Sequence, residues 1–316
     1  MIKLSLVYVL AGLVFAAFAV FSATDRANRK RLGNAVFWGL VALSFLAGDR
    51  LGDLGNGVLV LGLALIAGFG LLGRGQPATT SPDERRALAE RFGDRLFIPA
   101  LTLPVVVIFG VLVLKPLQFG GQPLLDPKQA TLVSLAIAAV AAVAVALVLL
   151  RQPPLSPLQE GRRLMDTVGW AALLPQMLAA LGAVFALAGV GELIGQLVTD
   201  WVPLDTRLAA VAAYCLGMAG FTIIMGNAFA AFPVMTAGIA LPILINGFGG
   251  NPAVVCSIGM LSGFCGTLMT PLAANFNLVP PALLELPDRY SVIKAQIPTA
   301  LPLLLVNIGL MYVFAF

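Results

Sequence analysis

Ten apolar segments separated by short polar loops run along the chain and predict most of its secondary structure. The first segment is about 20 residues long, enough to cross a hydrocarbon core ~30 Å thick, and the basic run DRANRKR follows it directly. It is therefore predicted to be a retained spanning helix and not a cleaved signal peptide. The pattern predicts an all-α polytopic membrane protein with about 8–10 helical segments. The segments cover residues 4–23, 35–48, 56–73, 96–114, 130–150, 168–190, 208–226, 228–245, 252–282 and 295–316.

Composition agrees with a bilayer environment and excludes several functional classes. Only 11% of the residues are charged, against about 25% in soluble proteins. The net charge of +4 comes from basic residues in short loops, which indicates membrane topology and not a nucleic-acid-binding face. The chain has no histidine, so His-based metal sites and Ser-His-Asp catalysis are absent, and no cofactor is expected. The three cysteines lie in apolar segments without a CxxC spacing and are predicted to act as small packing residues.

The distribution of basic residues predicts an orientation in the membrane. Loops 25–34, 74–95 and 151–167, the first including Arg31 and the second Arg74, together hold 12 positive charges. The intervening segments hold four, on Lys3, Arg50, Lys115 and Lys128. Because cytoplasmic loops are enriched in Lys and Arg, the three basic loops are predicted to lie inside and the N-terminus outside, in a bacterial inner membrane.

Two polar segments between the predicted spans are predicted to form surface helices. In SPDERRALAERFGDR, Ser81 can cap a helix that begins at Pro82 and has acidic residues in its first turn. The second segment, 192–207, has acidic residues and a tryptophan and is interpreted as a mildly amphipathic interfacial helix.

The candidate chemistry lies in the longest stretch without charge. Between Arg207 and Glu285, 77 residues include no Asp, Glu, Lys or Arg, yet they contain ten glycines, six prolines and five asparagines. Irregular backbone at membrane depth is tolerated only where protein or a water-filled cavity surrounds it, and broken helices of this kind form transporter binding sites. We therefore expect residues 1–206 to form a six-span scaffold and residues 207–316 to form a transport-type unit.

Two clusters within this stretch predict breaks in the helices. The first, GNAFAAFPVMTAG at 226–238, predicts a re-entrant helix-tip-helix hairpin whose second arm presents free N–H groups at the tip. The second, GTLMTPLAANFN at 266–277, predicts an unwound stretch whose carbonyls could coordinate a cation. The alternative is that these residues only pack helices closely and bridge them by hydrogen bonds. The candidate binding residues are Gly226, Asn227, Thr236, Gly266, Thr267, Thr270, Pro271, Asn275 and Asn277.

The sequence around these clusters resembles divalent-anion symporters of the ion transporter superfamily. GNAFAAFP with its apolar arm, followed by GTLMTP and ANFN, is similar to the Ser-Asn-Thr hairpin tip and the broken helix of those proteins. The resemblance implies that tip amides and the nearby break hold a substrate carboxylate and sodium. Gly226, Asn227 and Ala228 stand where that family has Ser-Asn-Thr, so Asn227 matches and the hydroxyl contacts do not.

A closer resemblance covers most of the chain. It is most specific in NGFGGNPAVVCSIGMLSGFCGTLMTPLAANFN and LLELPDRYSVIKAQIPTALPLLLVN, which resemble a bacterial membrane family called unknown-function domain nine-seventy-nine. Members of that family are typically encoded beside a second unknown-function membrane family and often beside pyrrolidone-carboxylate peptidase. The resemblance implies a two-component permease for 5-oxoproline or a related small carboxylate.

The favoured hypothesis is a subunit of a secondary-active permease for a small polar or anionic solute, with Na⁺ or a proton as a possible coupling cation. Inverted-repeat symporters need two facing hairpin-and-break units, and this sequence contains one. The second unit is expected from another polytopic subunit, with a homodimer as the alternative. Two other hypotheses are a structural subunit whose partner holds the site, and a membrane-embedded enzyme subunit. The lack of acid-base groups in 208–284 argues against an enzyme.

Overall fold

The computed structural model describes residues 1–73, 75, 81–119, 121–201, 206–284 and 286–316. Arg74 and Glu285 lie outside the described residues. The chain divides into two compact units, Met1–Thr167 (unit 1) and Val168–Phe316 (unit 2).

The described residues of unit 1 form six α-helices and one short hairpin of strands. The 3₁₀ turn Gly93–Leu96 precedes α4, and a π-helical turn, Gly110–Leu114, follows it. Ser81 caps α3 as predicted, because its side chain accepts from the Glu84 N–H and the Glu84 carboxylate accepts from the Ser81 N–H. The elements are α1 (Leu4–Thr24), α2 (Arg31–Gly68), α3 (Pro82–Phe92), α4 (Phe97–Phe109), β1 (Gln118–Phe119), β2 (Gln122–Pro123), α5 (Ala130–Leu150) and α6 (Ser156–Val168).

Helix α2 consists of two antiparallel arms that meet at Gly52. Gly52 has φ 62° and ψ −176°, a conformation that only glycine adopts readily, and it reverses the chain. A Cβ added to Gly62 in the second arm would lie 3.2 Å from Leu40 in the first. Asn34 and Gly73 exchange two hydrogen bonds of 2.7 and 2.8 Å at the open end of the pair. The two arms correspond to the separate apolar segments predicted at 35–48 and 56–73.

The first basic loop of unit 1, at the end of α1, contacts the end of α2 and helix α6. The Asn28 side chain donates to the Gly73 carbonyl, which joins the first loop to the end of the second arm of α2. Arg162 Nη1 lies 3.0 Å from Asp25 Oδ2, which brings helix α6 to the same place. A separate bridge pairs Ile2 with Leu125 and joins the N-terminus to the loop between α4 and α5. This grouping is the one expected if the basic loops share one membrane face.

Unit 2 begins with the 3₁₀ turn Gly169–Ala172 and contains the charge-free stretch. A π-helix, Thr236–Gly247, continues α10 and contains Pro242. The hydrophobic core of the unit lies between α9, α10 with its π-helical extension, α11 and α14, and it includes Tyr214, Met218, Ile239 and Met311. The helices are α7 (Leu174–Leu187), α8 (Val190–Trp201), α9 (Arg207–Met225), α10 (Ala228–Met235), α11 (Pro252–Leu268), α12 (Ala274–Asn277), α13 (Val279–Leu283) and α14 (Ser291–Phe314).

Glycines bring α8 into backbone contact with the π-helical extension of α10. A Cβ on Gly195 would lie 2.4 Å from the Gly238 carbonyl oxygen, and one on Gly191 would lie 2.8 Å from the Val234 carbonyl oxygen. Gly182 in α7 meets the backbone of Ala230 in the same way. Because α7 and α8 pack on α10 and its π-helical extension, they belong to unit 2, which begins at Val168. The predicted functional division at 206/207, between a scaffold and a transport-type unit, stays a prediction.

The length and composition of the helices confirm an all-α polytopic membrane protein. Eight helical stretches among the described residues are long and apolar enough to cross a membrane. The α2 pair is counted once among them, and α11 is shorter than the rest. The eight stretches are Leu4–Thr24, Arg31–Gly68, Arg86–Leu114, Ala130–Leu150, Ser156–Leu187, Arg207–Met225, Ala228–Gly247 and Ser291–Phe314.

Candidate functional site

The helix break predicted at the first cluster is present, with its tip at Gly226 and Asn227, and the re-entrant path of the hairpin stays a prediction. Gly226 ends α9 with φ 72° and donates its N–H to the Thr222 carbonyl over 2.7 Å. Asn227 caps α10, because its side-chain oxygen accepts from the Phe229 N–H at 2.8 Å. The arms of 19 and 20 residues, Arg207–Met225 and Ala228–Gly247, are each long enough to span a bilayer.

The second cluster breaks the backbone between α11 and α12. The α-helix ends at Leu268, and α12 starts at Ala274. The side-chain amide of Asn277, which is fully buried, turns back and donates to the Thr267 carbonyl at 2.8 Å and to the Thr270 carbonyl at 2.7 Å. Asn277 therefore satisfies two of the carbonyls that the break releases from helical hydrogen bonding.

The structure brings the two clusters into direct contact. The Thr270 hydroxyl donates to the Ile223 carbonyl at 2.9 Å, in the last turn of α9, and accepts from the Leu272 N–H at 3.2 Å. A Cβ added to Gly226 would lie 2.7 Å from the Leu272 backbone, so only glycine fits there. We call residues 222–227 together with residues 266–277 the tip-break site.

Two oxygen atoms in the tip-break site are buried and have no hydrogen-bond partner among the described residues. They are Thr222 Oγ1 and Asn277 Oδ1, and both residues are 0% exposed. A buried polar atom without a partner costs about 1–3 kcal/mol, so such atoms in a native protein mark a position for a ligand, an ion or water. Sequence reasoning missed Thr222, whose only signal is a hydroxyl one helical turn before Gly226.

The other predicted site residues have different positions. The Thr236 hydroxyl lies 3.2 Å from the Tyr214 hydroxyl, and Tyr214 is twelve residues before Gly226 in α9, roughly 18 Å along the helix. Thr236 is therefore not part of the tip-break site. Pro271 and Asn275 are exposed on its outer side.

Gly266 and Thr267 lie inside the site and support its packing. A Cβ on Gly266 would lie 2.3 Å from the Ala219 carbonyl oxygen, which shows how closely α11 approaches α9. The Thr267 hydroxyl donates to the Gly263 carbonyl of its own helix, over 3.4 Å. Thr267 thus contributes a backbone carbonyl to the break, and its hydroxyl does not face the other cluster.

Charged side chains lie outside the tip-break site. The Arg207 guanidinium stands 5.2 Å from the ring centroid of Phe316, at the opposite end of α9. The Lys294 ammonium and the Tyr290 N–H, in that order of effect, lower the pKa of the exposed Asp288 carboxyl before α14. No group of three or more His, Cys, Asp or Glu side chains that could hold a metal occurs in the part of the chain that the structure describes.

Large apolar side chains surround the tip-break site on its outer side. The exposed fractions are 69% for Ile224, 61% for Phe229, 53% for Leu272 and 48% for Phe276. Apolar residues exposed together in this way mark contact with lipid or with another protein. The site thus combines buried polar atoms with an apolar rim.

One family is similar to the chain over nearly its whole length. A family described as "Protein of unknown function (DUF979)" matches residues 5–316. No curated protein and no solved structure matches the sequence. The similarity to the ion transporter superfamily stays a prediction.

Proposed function

This chain belongs to the DUF979 family, and from that premise we propose that it is one subunit of a secondary-active permease. Its solute is a small polar or anionic molecule, with 5-oxoproline or a related carboxylate as the first candidate. The permease lies in the bacterial inner membrane, with the N-terminus of this chain outside. A second polytopic subunit completes the site, and a second copy of this chain is the alternative.

The observation that carries the proposal is the contact between hairpin tip and helix break. A tip and a break could each arise from packing alone. Here Thr270 joins them through the Ile223 carbonyl, and Thr222 Oγ1 and Asn277 Oδ1 remain buried without partners on the two sides of the junction. The arrangement supports a binding site because two of the buried oxygen atoms without a described partner lie where two helices lose their regular backbone.

The chemistry of the site defines how it could recognise a solute. With no Lys or Arg between 208 and 284, a carboxylate would be held by the positive N-terminal end of α10 and by the amide of Asn227. A coupling cation, Na⁺ or a proton, would be held by oxygen atoms such as Thr222 Oγ1 and Asn277 Oδ1.

The apolar rim supports a partner subunit. Ile224 and Phe229 are too exposed for the tip to face water, so lipid or protein covers it. We propose that the hairpin is re-entrant in the assembled permease and that the partner provides a second hairpin opposite this one. A single hairpin-and-break unit cannot enclose a solute from both sides.

The test compares two asparagines that cap helices in the same way. Asn227 Oδ1 accepts from the Phe229 N–H, and Asn251 Oδ1 accepts from the Ala253 N–H at the start of α11. In proteoliposomes containing the chain with its co-purifying membrane proteins, Asn227→Ala should lower uptake of radiolabelled 5-oxoproline about 10-fold or more, because a hydrogen bond to a charged ligand is lost. Asn251→Ala loses only a cap, so uptake per folded protein should match the wild type.

Equal uptake by the Asn227→Ala and Asn251→Ala proteins would show that the solute does not bind at the tip. Thr267→Ala removes a hydroxyl that bonds within α11, so it should leave uptake unchanged and serves as a second control. Full transport by Asn227→Ala would favour a structural subunit whose partner holds the site. The observation that favours this alternative is that the Thr270 hydroxyl and the Asn277 amide already form hydrogen bonds within this chain.

A further inference from the structure

Helix α8 packs against the middle of the second arm of the hairpin, Ala228–Gly247. A Cβ added to Gly238 would meet the backbones of both Gly191 and Gly195, so α8 and the arm are in backbone contact there. Gly238 is ten residues after the start of the arm and nine residues before its end. At ~1.5 Å per residue it lies roughly 14 Å from each end.

The Gly247 end of this arm lies near a charged group. The ring centroids of Phe248 and Phe316 are 6.4 Å apart, and the Arg207 guanidinium stands 5.2 Å from the same Phe316 ring. Because a guanidinium is costly inside hydrocarbon, this end belongs at the membrane surface. Gly238 then lies near the centre of a hydrocarbon core ~30 Å thick, whether the hairpin crosses the bilayer or turns back within it.

A carboxylate, that of Glu192, lies at the same level. Glu192 directly follows Gly191, the residue that contacts Gly238, and its side chain is exposed. The large apolar side chains Leu193 and Leu197 next to it on α8 are 57% and 50% exposed. The outer face of α8 therefore presents a carboxylate beside apolar side chains, in a region where the packing of unit 2 requires hydrocarbon or another protein.

No cation of unit 2 pairs with Glu192 in the described structure. Residues 168–316 contain three basic residues, Arg207, Arg289 and Lys294, and the undescribed positions in this range contain none. Each of the three contacts an aromatic ring or a carboxylate at or next to a helix end. Ionisable side chains at membrane depth are costly in lipid and pair with one another or line a cavity, so Glu192 requires a group from outside unit 2.

We propose that the outer face of α8 is the docking surface for a membrane-spanning helix of the partner subunit, and that this helix carries a Lys or Arg that pairs with Glu192. A second copy of this chain fits poorly, because a symmetric contact about α8 would set two Glu192 carboxylates against each other. The proposal replaces the interfacial position that the sequence predicts for residues 192–207. It rests on the proposed function only for the existence of a second polytopic subunit.

The first test measures how much of the partner stays with the chain. The tagged protein is purified in mild detergent from its native membrane, and the co-purifying polytopic proteins are quantified by mass spectrometry. Glu192→Lys should lower the amount of partner about 10-fold or more, because like charges would then face each other, and Glu192→Gln should cause a smaller loss. Glu90→Lys, at an exposed carboxylate of α3, is the matched control and should keep the partner at the wild-type level.

Folding is checked on the same variants. Glu192 is exposed and has no described partner, so the unfolding temperature of the isolated Glu192→Lys chain should match that of the wild type. A wild-type chain that retains no polytopic partner, or a Glu192→Lys chain that retains it fully, would overturn the proposal.

The second test identifies what covers α8. A photo-crosslinking amino acid in place of Leu193 should join the partner at a peptide from a predicted span that contains Lys or Arg. Crosslinks only to lipid, to a second copy or to this chain itself contradict the proposal. A complex that depends on Glu192 but takes up no 5-oxoproline would leave the docking surface standing and remove the transport proposal. Normal uptake by a Glu192→Lys protein that keeps its partner would do the reverse.

Discussion

The two units of this protein differ in how much of their candidate membrane spans is buried within the structure. In unit 1 the candidate spans are between 6% and 22% buried within the structure; in unit 2, Arg207–Met225 and Ala228–Gly247 are 44% and 50% buried, and Ser291–Phe314 is 22% buried. Most of the apolar surface of unit 1 is therefore left for lipid or partners. The hairpin of unit 2 is instead enclosed by its own unit, and enclosure is what allows irregular backbone to exist there.

The two units also differ in where their polar contacts lie. Unit 1 places its polar contacts at helix ends, as in the Asn34–Gly73 pair and the Arg162–Asp25 ion pair. Unit 2 places them inside the helical body, where Asn277 closes the break in α11 and Thr270 joins it to α9. The comparison indicates that close packing and internal hydrogen bonds stabilise unit 2, whereas polar contacts at the helix ends stabilise unit 1.

The strongest test of this contrast is the substitution of a packing glycine in unit 2. Gly195→Ala places a methyl group 2.4 Å from the Gly238 carbonyl oxygen, so two backbones must separate. We expect a loss of about 3 kcal/mol in unfolding free energy, measured by reversible denaturation in detergent micelles. The same change at Gly220 of α9 or Gly57 of α2 meets no described atom within 4 Å and should not destabilise the protein. Equal stability of all three variants would contradict the enclosed packing of unit 2.

The next effect concerns the hydrogen bonds that close the break. Asn277→Ala removes the donor from the Thr267 and Thr270 carbonyls and leaves both in a buried region. We expect about 2 kcal/mol of destabilisation, measured by the same unfolding assay. Asn275→Ala, two residues earlier and exposed, is the control and should be neutral. If the two variants were equally stable, internal hydrogen bonds would not be what holds the break.

The smallest effect is expected at the exposed charge pair before α14. Because the pKa of Asp288 is lowered in the folded protein, its carboxylate stabilises the fold above the usual aspartate pKa and loses this effect as pH falls through the folded value. The difference in unfolding temperature between wild type and Asp288→Asn should be small at about pH 7, vanish near pH 2 and shrink in 1 M salt. A difference in unfolding temperature that grows on acidification would contradict the lowered pKa of Asp288.

Much of the fold follows from the apolar pattern because a bilayer permits few alternatives. The separate segments at 35–48 and 56–73 are the two arms that meet at Gly52. Ser81 followed by Glu84 forms the expected capping box, a local motif that needs no distant partner. The breaks at 226–227 and 269–273 also fall within the two clusters where the sequence predicts them, although the same residue types do not interrupt α14, which continues through Pro298 and Pro302.

The partners of the polar groups could not be predicted in the same way. A released carbonyl requires a donor, but only the path of the chain after the break decides that Asn277 provides it. Thr236 belongs by sequence to the first cluster, yet helical geometry turns it towards Tyr214. The boundary at 167/168 depends on contacts of Gly182, Gly191 and Gly195 with α10 and its π-helical extension, which no local pattern reveals.

The ion pair between Asp25 and Arg162 has a consequence for how the chain assembles during synthesis. The two residues are 137 positions apart, whereas Asn34 and Gly73 are 39 apart. At ~5–20 residues per second, Arg162 leaves the ribosome about 7–30 s after Asp25. The α2 pair therefore closes first, and Asp25 stays hydrated at the membrane surface until α6 is made. The contact between α6 and the end of α1 is therefore among the last contacts of unit 1 to form.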